Sequence, residues 1–137
     1  MNILFLCKGN VGRSQIAEAL FRKQFGDQHT VVSAGTKLSG PEQPIGELLP
    51  NIQEVLDVMS EEGLDVAPAI RKQMTEEMVN SADIVVAIME DTEELPEYLI
   101  NSSKLTRWSI PDPKGKDLVF TRNVRDQIKD QIKKLTF

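Results

Sequence analysis

Residues 3–14 read Ile3-Leu4-Phe5-Leu6-Cys7-Lys8-Gly9-Asn10-Val11-Gly12-Arg13-Ser14, an apolar run that opens into a short loop carrying two glycines. The nearly continuous apolar character of residues 2–7 predicts a buried strand. Residues 13–25 predict a helix, because Ile16, Ala17, Leu20 and Phe21 form a stripe at helical spacing and Gly26 suits its end. A strand followed by a tight loop and a helix brings Cys7 to the carboxyl end of a sheet. Gly9 and Gly12 admit backbone torsions that larger residues resist. The N–H groups of Lys8, Gly9, Asn10, Val11, Gly12 and Arg13 can then turn inward around a tetrahedral oxyanion, with the helix N-terminus behind them. Arg13 adds a two-pronged donor suited to two of its oxygens. The same positive field favours the thiolate of Cys7, the nucleophilic form of the side chain.

The rest of the chain repeats the alternation of strand and helix. Val31 and Val32 mark a second strand over 29–34, and Asp83 to Ile88 a third. Leu105 to Ile110 reads as a fourth. Helices are expected over 51–62, after a Thr75 cap, around Pro96, and over 117–135, where Val124, Ile128, Ile132 and Leu135 share one side. Lys37 to Pro50, with three prolines and two glycines, reads as a loop or broken helical turn. Such alternation predicts an α/β fold with a parallel sheet. In such sheets ligands bind at the carboxyl ends of the strands, where the Cys7 loop lies.

Composition narrows the function classes. The 137 residues suit one domain over 1–137. Sixteen Lys and Arg against twenty-one Asp and Glu leave a net charge of −5, which argues against general binding to nucleic acid or an anionic membrane. No apolar run approaches the roughly 20 residues needed to span a bilayer. Cys7 is the single cysteine, so an intramolecular disulfide is excluded and a reducing, cytoplasmic setting is expected. His29 is the single histidine; distant from Cys7 in sequence, it reads as a surface residue and not as a protease-type partner.

The Cys7–Ser14 string resembles the signature loop of the low-molecular-weight protein-tyrosine-phosphatase superfamily, which includes related arsenate reductases. The resemblance extends through Ser33-Ala34-Gly35-Thr36, Ala82-Asp83-Ile84-Val85-Val86 and Asp112-Pro113, almost end to end. It implies a single-domain, four-stranded parallel sheet flanked by helices, with the phosphate-binding loop after the first strand. It further implies that Cys7 is the nucleophile and Arg13 the anion clamp, while Asp112 is the acid that protonates the leaving oxygen and later activates water. Ser14 would donate its hydroxyl to the thiolate. Asn10 would hold the loop, since asparagine tolerates left-handed torsions, and Ser33 would hydrogen-bond to Asn10.

Departures from the pattern bear on substrate. Lys114-Gly115-Lys116 follows Asp112-Pro113 where phosphotyrosine-specific members carry aromatics, and Lys8 adds charge at the mouth. Trp108, Gly63-Leu64-Asp65 and the helix bearing Val124-Arg125-Asp126 resemble the arsenate-reductase branch. Asn10, Glu18, Ser33 and Asp65 resemble a set of oxygen ligands that bind potassium in some of those enzymes. The two extra cysteines of the thioredoxin-linked route would fall near Met89 and Leu95, and neither is a thiol. The leading expectation is therefore a phosphatase acting through a phosphocysteine on a small phosphorylated substrate or a phosphoprotein, phosphotyrosine among the candidates. It needs no cofactor and no metal. The alternatives are a single-cysteine arsenate reductase using an external thiol or a glutaredoxin-like partner, and a non-catalytic module that binds phosphate or arsenate.

Overall fold

The computed structural model describes residues 1–137. Four parallel strands, β1 (Asn2–Cys7), β2 (Thr30–Gly35), β3 (Ile84–Ile88) and β4 (Leu105–Trp108), form one sheet in the order β2-β1-β3-β4. The helices are α1 (Arg13–Phe25), α2 (Gln53–Ser60), α3 (Glu76–Ser81), α4 (Glu97–Ile100) and α5 (Leu118–Lys133). The Lys37 to Pro50 stretch contains one short 3-10 turn at Ile45–Leu48, as its broken pattern predicts.

The two-fold alternation of β1 explains the layers. Ile3 and Phe5 point into a core shared with Ile16, Leu20 and Phe21 of α1, Val55 and Met59 of α2, and Val124 and Ile128 of α5. Leu4 and Leu6 point the other way, into a second core with Val79 of α3, Val85, Ala87 and Leu99 of α4. A central parallel strand covered on both faces has no polar side, so its sequence reads as an unbroken apolar run. Because β2 and β3 flank β1 on opposite sides, the chain direction across the sheet reverses at β1. The carboxyl end of β1, occupied by Cys7, is thus the switch point where such sheets open a crevice.

Capping follows the sequence. Thr75 Oγ1 accepts from Met78 N at 3.2 Å, and Asp117 Oδ1 accepts from Phe120 N at 2.9 Å. Strand β4 stops at Trp108, two residues before the expected end. The backbone beyond it leaves the ladder, and the carbonyl of Ile110 accepts from Arg13 instead. Pro111 and Pro113 supply no N–H with which to continue. His29 is half-buried and not a plain surface residue: its ring centroid lies 4.2 Å from that of Phe137, with Phe21 and Phe25 beside it. It stands at the amino end of β2, while Cys7 pairs with Gly35 at the other end. No helix is long and apolar enough to cross a membrane.

Helices α2 and α5 are also tied by charge. Glu61 accepts from Arg122 and from Arg125, at 2.7 and 2.6 Å, and these hydrogen bonds hold its carboxyl down to about 2. A folded value below the ordinary one gives a contribution that is complete above about 4.5 and is lost as pH falls through about 2. Glu61→Gln is expected to remove that dependence, making the acid limb of a circular-dichroism unfolding profile shallower between pH 5 and 2. An unchanged limb would show that the tie carries no linkage.

Candidate active site

The Cys7 loop is held by one asparagine. Asn10, fully buried, adopts φ 54°, so the left-handed position is Asn10 and not Gly9 or Gly12. Its Oδ1 accepts from the backbone N of Lys72 at 2.9 Å and from Gln15 Nε2 at 3.1 Å. Two donors on the oxygen fix the amide's orientation. Its Nδ2 therefore faces Ser14 Oγ at 2.7 Å and Ser33 Oγ at 3.0 Å, donating to both. Ser14 Oγ also lies 2.9 Å from Cys7 Sγ. With its oxygen already accepting from Asn10, Ser14 has its proton free to donate to sulfur, and a thiolate can only accept. With Cys7 as the thiolate, the buried donors run from Asn10 through Ser14 to the sulfur, and Ser33 accepts on a second arm from Asn10.

Gly35 lets this network close. A Cβ there would lie 2.6 Å from the Lys8 carbonyl, so only glycine allows the end of β2 so near the loop. Gly35 N donates to Lys72 O at 2.7 Å and its carbonyl accepts from Met74 N at 2.8 Å, which laces residues 72–74 to the loop from behind.

Arg13 is 2 % exposed and is engaged differently from the expectation of a free fork. Its Nη1 and Nη2 donate to the two carboxylate oxygens of Glu93 at 2.6 and 2.9 Å, and Nη1 also donates to Ile110 O at 3.2 Å. Three of five N–H groups are committed in this way. The remaining pair, on Nε and the near side of Nη2, forms the side-on fork that can take two oxygens of an anion. Glu93 itself is anchored by the backbone N of Glu90 at 2.9 Å. Burial pushes the Glu93 carboxyl up, but hydrogen bonds from Arg13 and Glu90, with the charge of Arg13, outweigh it and hold the group below its ordinary value. The pair's contribution is therefore present above about 4.5 and lost as pH falls below it. Sequence gave no sign of Glu93, because it sits in the acidic run Glu90–Glu94 and looks like any solvated carboxylate. Glu93→Gln is expected to lower stability by about 1–3 kcal/mol, the scale of a lost charge-assisted hydrogen bond, as read from urea unfolding at pH 7. Unaltered stability would mean that Arg13 needs no counter-charge.

Asp112 stands at the rim. Its Oδ2 is 3.7 Å from Arg13 Nη2, and its Oδ1 accepts from Lys114 N at 3.0 Å. Buried Pro113 packs over Gly12, 3.5 Å from the position a Cβ would occupy there. Cys7, Arg13 and Asp112 line one cavity of about 340 Å³, together with Lys8, Gly9, Val11 and Gly12. Its apolar wall is Val11, Leu48 and Ile52, and none of its lining residues is aromatic. Trp108 is instead buried against Phe5, and Tyr98 is exposed on α4.

The structure gives the four oxygen-bearing residues of the expected potassium set the following partners. Asn10 and Ser33 sit inside the loop network, and the Asn10 carbonyl accepts from Gln15 Nε2 at 3.2 Å. Glu18 accepts from Arg22 at 2.6 Å, and Asp65 accepts from Ala67 N at 3.1 Å. Glu18 and Asp65 share a separate cavity with Gln15 and Arg22.

The structure is thus of the α/β class that carries a cysteine–arginine loop at the switch point of a parallel sheet. The family model described as "Low molecular weight phosphotyrosine protein phosphatase" matches residues 2–136, and the chain belongs to that family. It is 30% identical over 130 residues to "Arsenate reductase 2" of Staphylococcus haemolyticus, covering 95% of this chain and 92% of the other. It is 31% identical over 132 residues to the arsenate reductase of Brevibacillus brevis, covering 96% and 91%. Among solved structures it resembles the low molecular weight protein tyrosine phosphatase of T. tengcongensis, with a TM-score of 0.78 and 25% identity over 97% of this chain and 95% of that one.

Proposed function

We propose that the protein is a phosphatase that cleaves phosphomonoesters through a phosphocysteine at Cys7. The observation that carries this reading is the polarised Asn10–Ser14–Cys7 chain in one cavity with Arg13 and Asp112. In the first step the Cys7 thiolate attacks phosphorus while the bond from phosphorus to the ester oxygen breaks. The departing oxygen takes a proton from Asp112. Loop N–H groups and the free edge of Arg13 hold the equatorial oxygens as charge shifts between them. In the second step Asp112 takes a proton from water, the hydroxide attacks phosphorus, and Cys7 leaves as a thiolate that accepts from Ser14. No other cysteine exists to divert the intermediate into a disulfide.

The test is acid quenching during turnover of a radiolabelled aryl phosphate in reductant. One trapped phosphoryl group per chain is expected, on the peptide holding Cys7. Steady turnover with no trapped label, under conditions where the second step is limiting, would overturn the covalent route.

A second reading has its own support, the 30% and 31% identity to proteins named arsenate reductase. On this chain reduction would need an outside thiol. Arsenate would bond to Cys7 with loss of water, and an external thiolate would then attack the Cys7 sulfur. Arsenite would leave with the electron pair, and a second thiol would release Cys7 from the mixed disulfide. Arsenate-dependent oxidation of glutathione or a glutaredoxin, without phosphatase turnover, would select this reading over the first.

A further inference from the structure

The geometry points to a second anion site in the same cavity, built on Arg71, that selects phosphomonoesters carrying an additional anionic group. This inference rests on the phosphate-binding reading of the Cys7 loop and names the substrate class for it.

Arg71 is only 5 % exposed, yet it takes part in none of the chain's ion pairs. Its Nε donates to Pro41 O at 2.8 Å, and its backbone N donates to Gln43 O at 3.0 Å. The two terminal nitrogens carry four N–H groups and make no protein hydrogen bond. They are not sealed from solvent, and the space Arg71 lines is the cavity that also holds Cys7, Arg13 and Asp112. A buried guanidinium without a carboxylate is costly to keep. Here its place is prepared: a Cβ on Gly40 would lie 2.5 Å from Arg71 Nη2, so glycine leaves the room in which the guanidinium rests. Fixing Nε on a carbonyl while leaving Nη1 and Nη2 open makes an end-on fork for two oxygens of a carboxylate or a phosphate.

The surroundings favour the same ligand. Lys8, Lys37 and Lys114 line the cavity and make no ion pair, in a chain whose net charge is −5. Cations are thus gathered at this mouth against the overall balance. An oxyanion in the Cys7 loop is served by the loop amides and Arg13, which leaves Arg71 for a second group on the same molecule. The wall that would hold an aromatic ring is missing, and a charged contact stands in the cavity instead. Specificity would then come from a second charge and not from ring stacking.

The experiment is calorimetric titration of the folded full chain with inorganic phosphate, with ω-carboxyalkyl phosphates and α,ω-alkyl bisphosphates of two to four carbons, and with simple alkyl phosphates of equal length that lack the second anionic group. At least one ligand with two anionic groups is expected to bind about tenfold or more tightly than its simple alkyl phosphate counterpart, the scale of a charge-assisted fork. Arg71→Gln is expected to erase that preference while changing the affinity for inorganic phosphate by no more than about threefold, since a separate anchor adds little to a ligand it does not touch. Gly40→Ala displaces the guanidinium without removing it and should reproduce the loss. Equal binding of esters with and without the second anionic group by the wild type would overturn the inference, as would a preference that survives both variants. The carboxylate and bisphosphate arms tell which anion the fork takes. Failure of the wild type to bind inorganic phosphate would refute the oxyanion loop itself, a result distinct from loss of the preference.

Discussion

Replacing Cys7 with serine is expected to lower kcat for p-nitrophenyl phosphate by roughly 10⁴-fold or more, the scale seen when a covalent nucleophile is removed. A serine hydroxyl is a weak nucleophile without a neighbouring base, and the side chain that hydrogen-bonds to Sγ is Ser14. Ser14 is 2.9 Å away with its oxygen already accepting from Asn10, so it has a proton to offer and none to take. The groups that bind the anion are untouched by the change, and inorganic phosphate should bind the variant within about threefold of wild type. Kinetics in reductant, paired with phosphate titration, separate the two effects. Full activity in Cys7→Ser would remove the phosphocysteine from the mechanism. Lost binding alongside lost activity would mean that the loop had collapsed and the comparison had not isolated the nucleophile.

Asp112→Asn is expected to lower kcat/KM, which reports the first step, by about 10²–10⁴-fold for esters with basic leaving groups, the range for a lost general acid. The fall should be far smaller for p-nitrophenyl phosphate, whose leaving group departs without a proton. Asparagine preserves the shape and the Oδ1 acceptor for Lys114 N, so the turn at Pro113 should persist. What disappears is the proton carrier at the rim, 3.7 Å from Arg13. Comparing alkyl and p-nitrophenyl esters with one preparation measures the contrast. Equal losses in kcat/KM on both, or no loss on either, would take Asp112 out of protonating the leaving oxygen.

Much of this could be read along the chain because the relevant signals are local. The apolar run of β1, the stripe of α1 and the Thr75 cap each lie within one element, and each appeared where its pattern placed it. The Cys7 loop is also contiguous, so its residues announced themselves together. The partners that complete it are not contiguous. Glu93 meets Arg13 across 80 residues, and Lys72 N meets Asn10 across 62. Such pairings depend on how β3 and the Ile70–Met74 segment lie beside β1, which no periodicity encodes. Arg71 is the sharper case: a single arginine between two ordinary residues carries no pattern, and its burial without a counter-charge becomes visible only once Gly40 and Pro41 are folded against it. His29 was misplaced for the same reason, since the aromatic residue that half-covers it is the last one in the chain.

The hydrogen bond from Lys72 N to Asn10 Oδ1 joins the backbone beside Arg71 to the loop that carries Cys7. One buried amide thereby sets how far apart two positive fixtures stand, as a caliper is locked by a single screw. A molecule presented to this cleft would be judged by the interval between its charges, with little regard to the bulk between them. Altering Asn10 would change the length being measured as well as the loop it steadies.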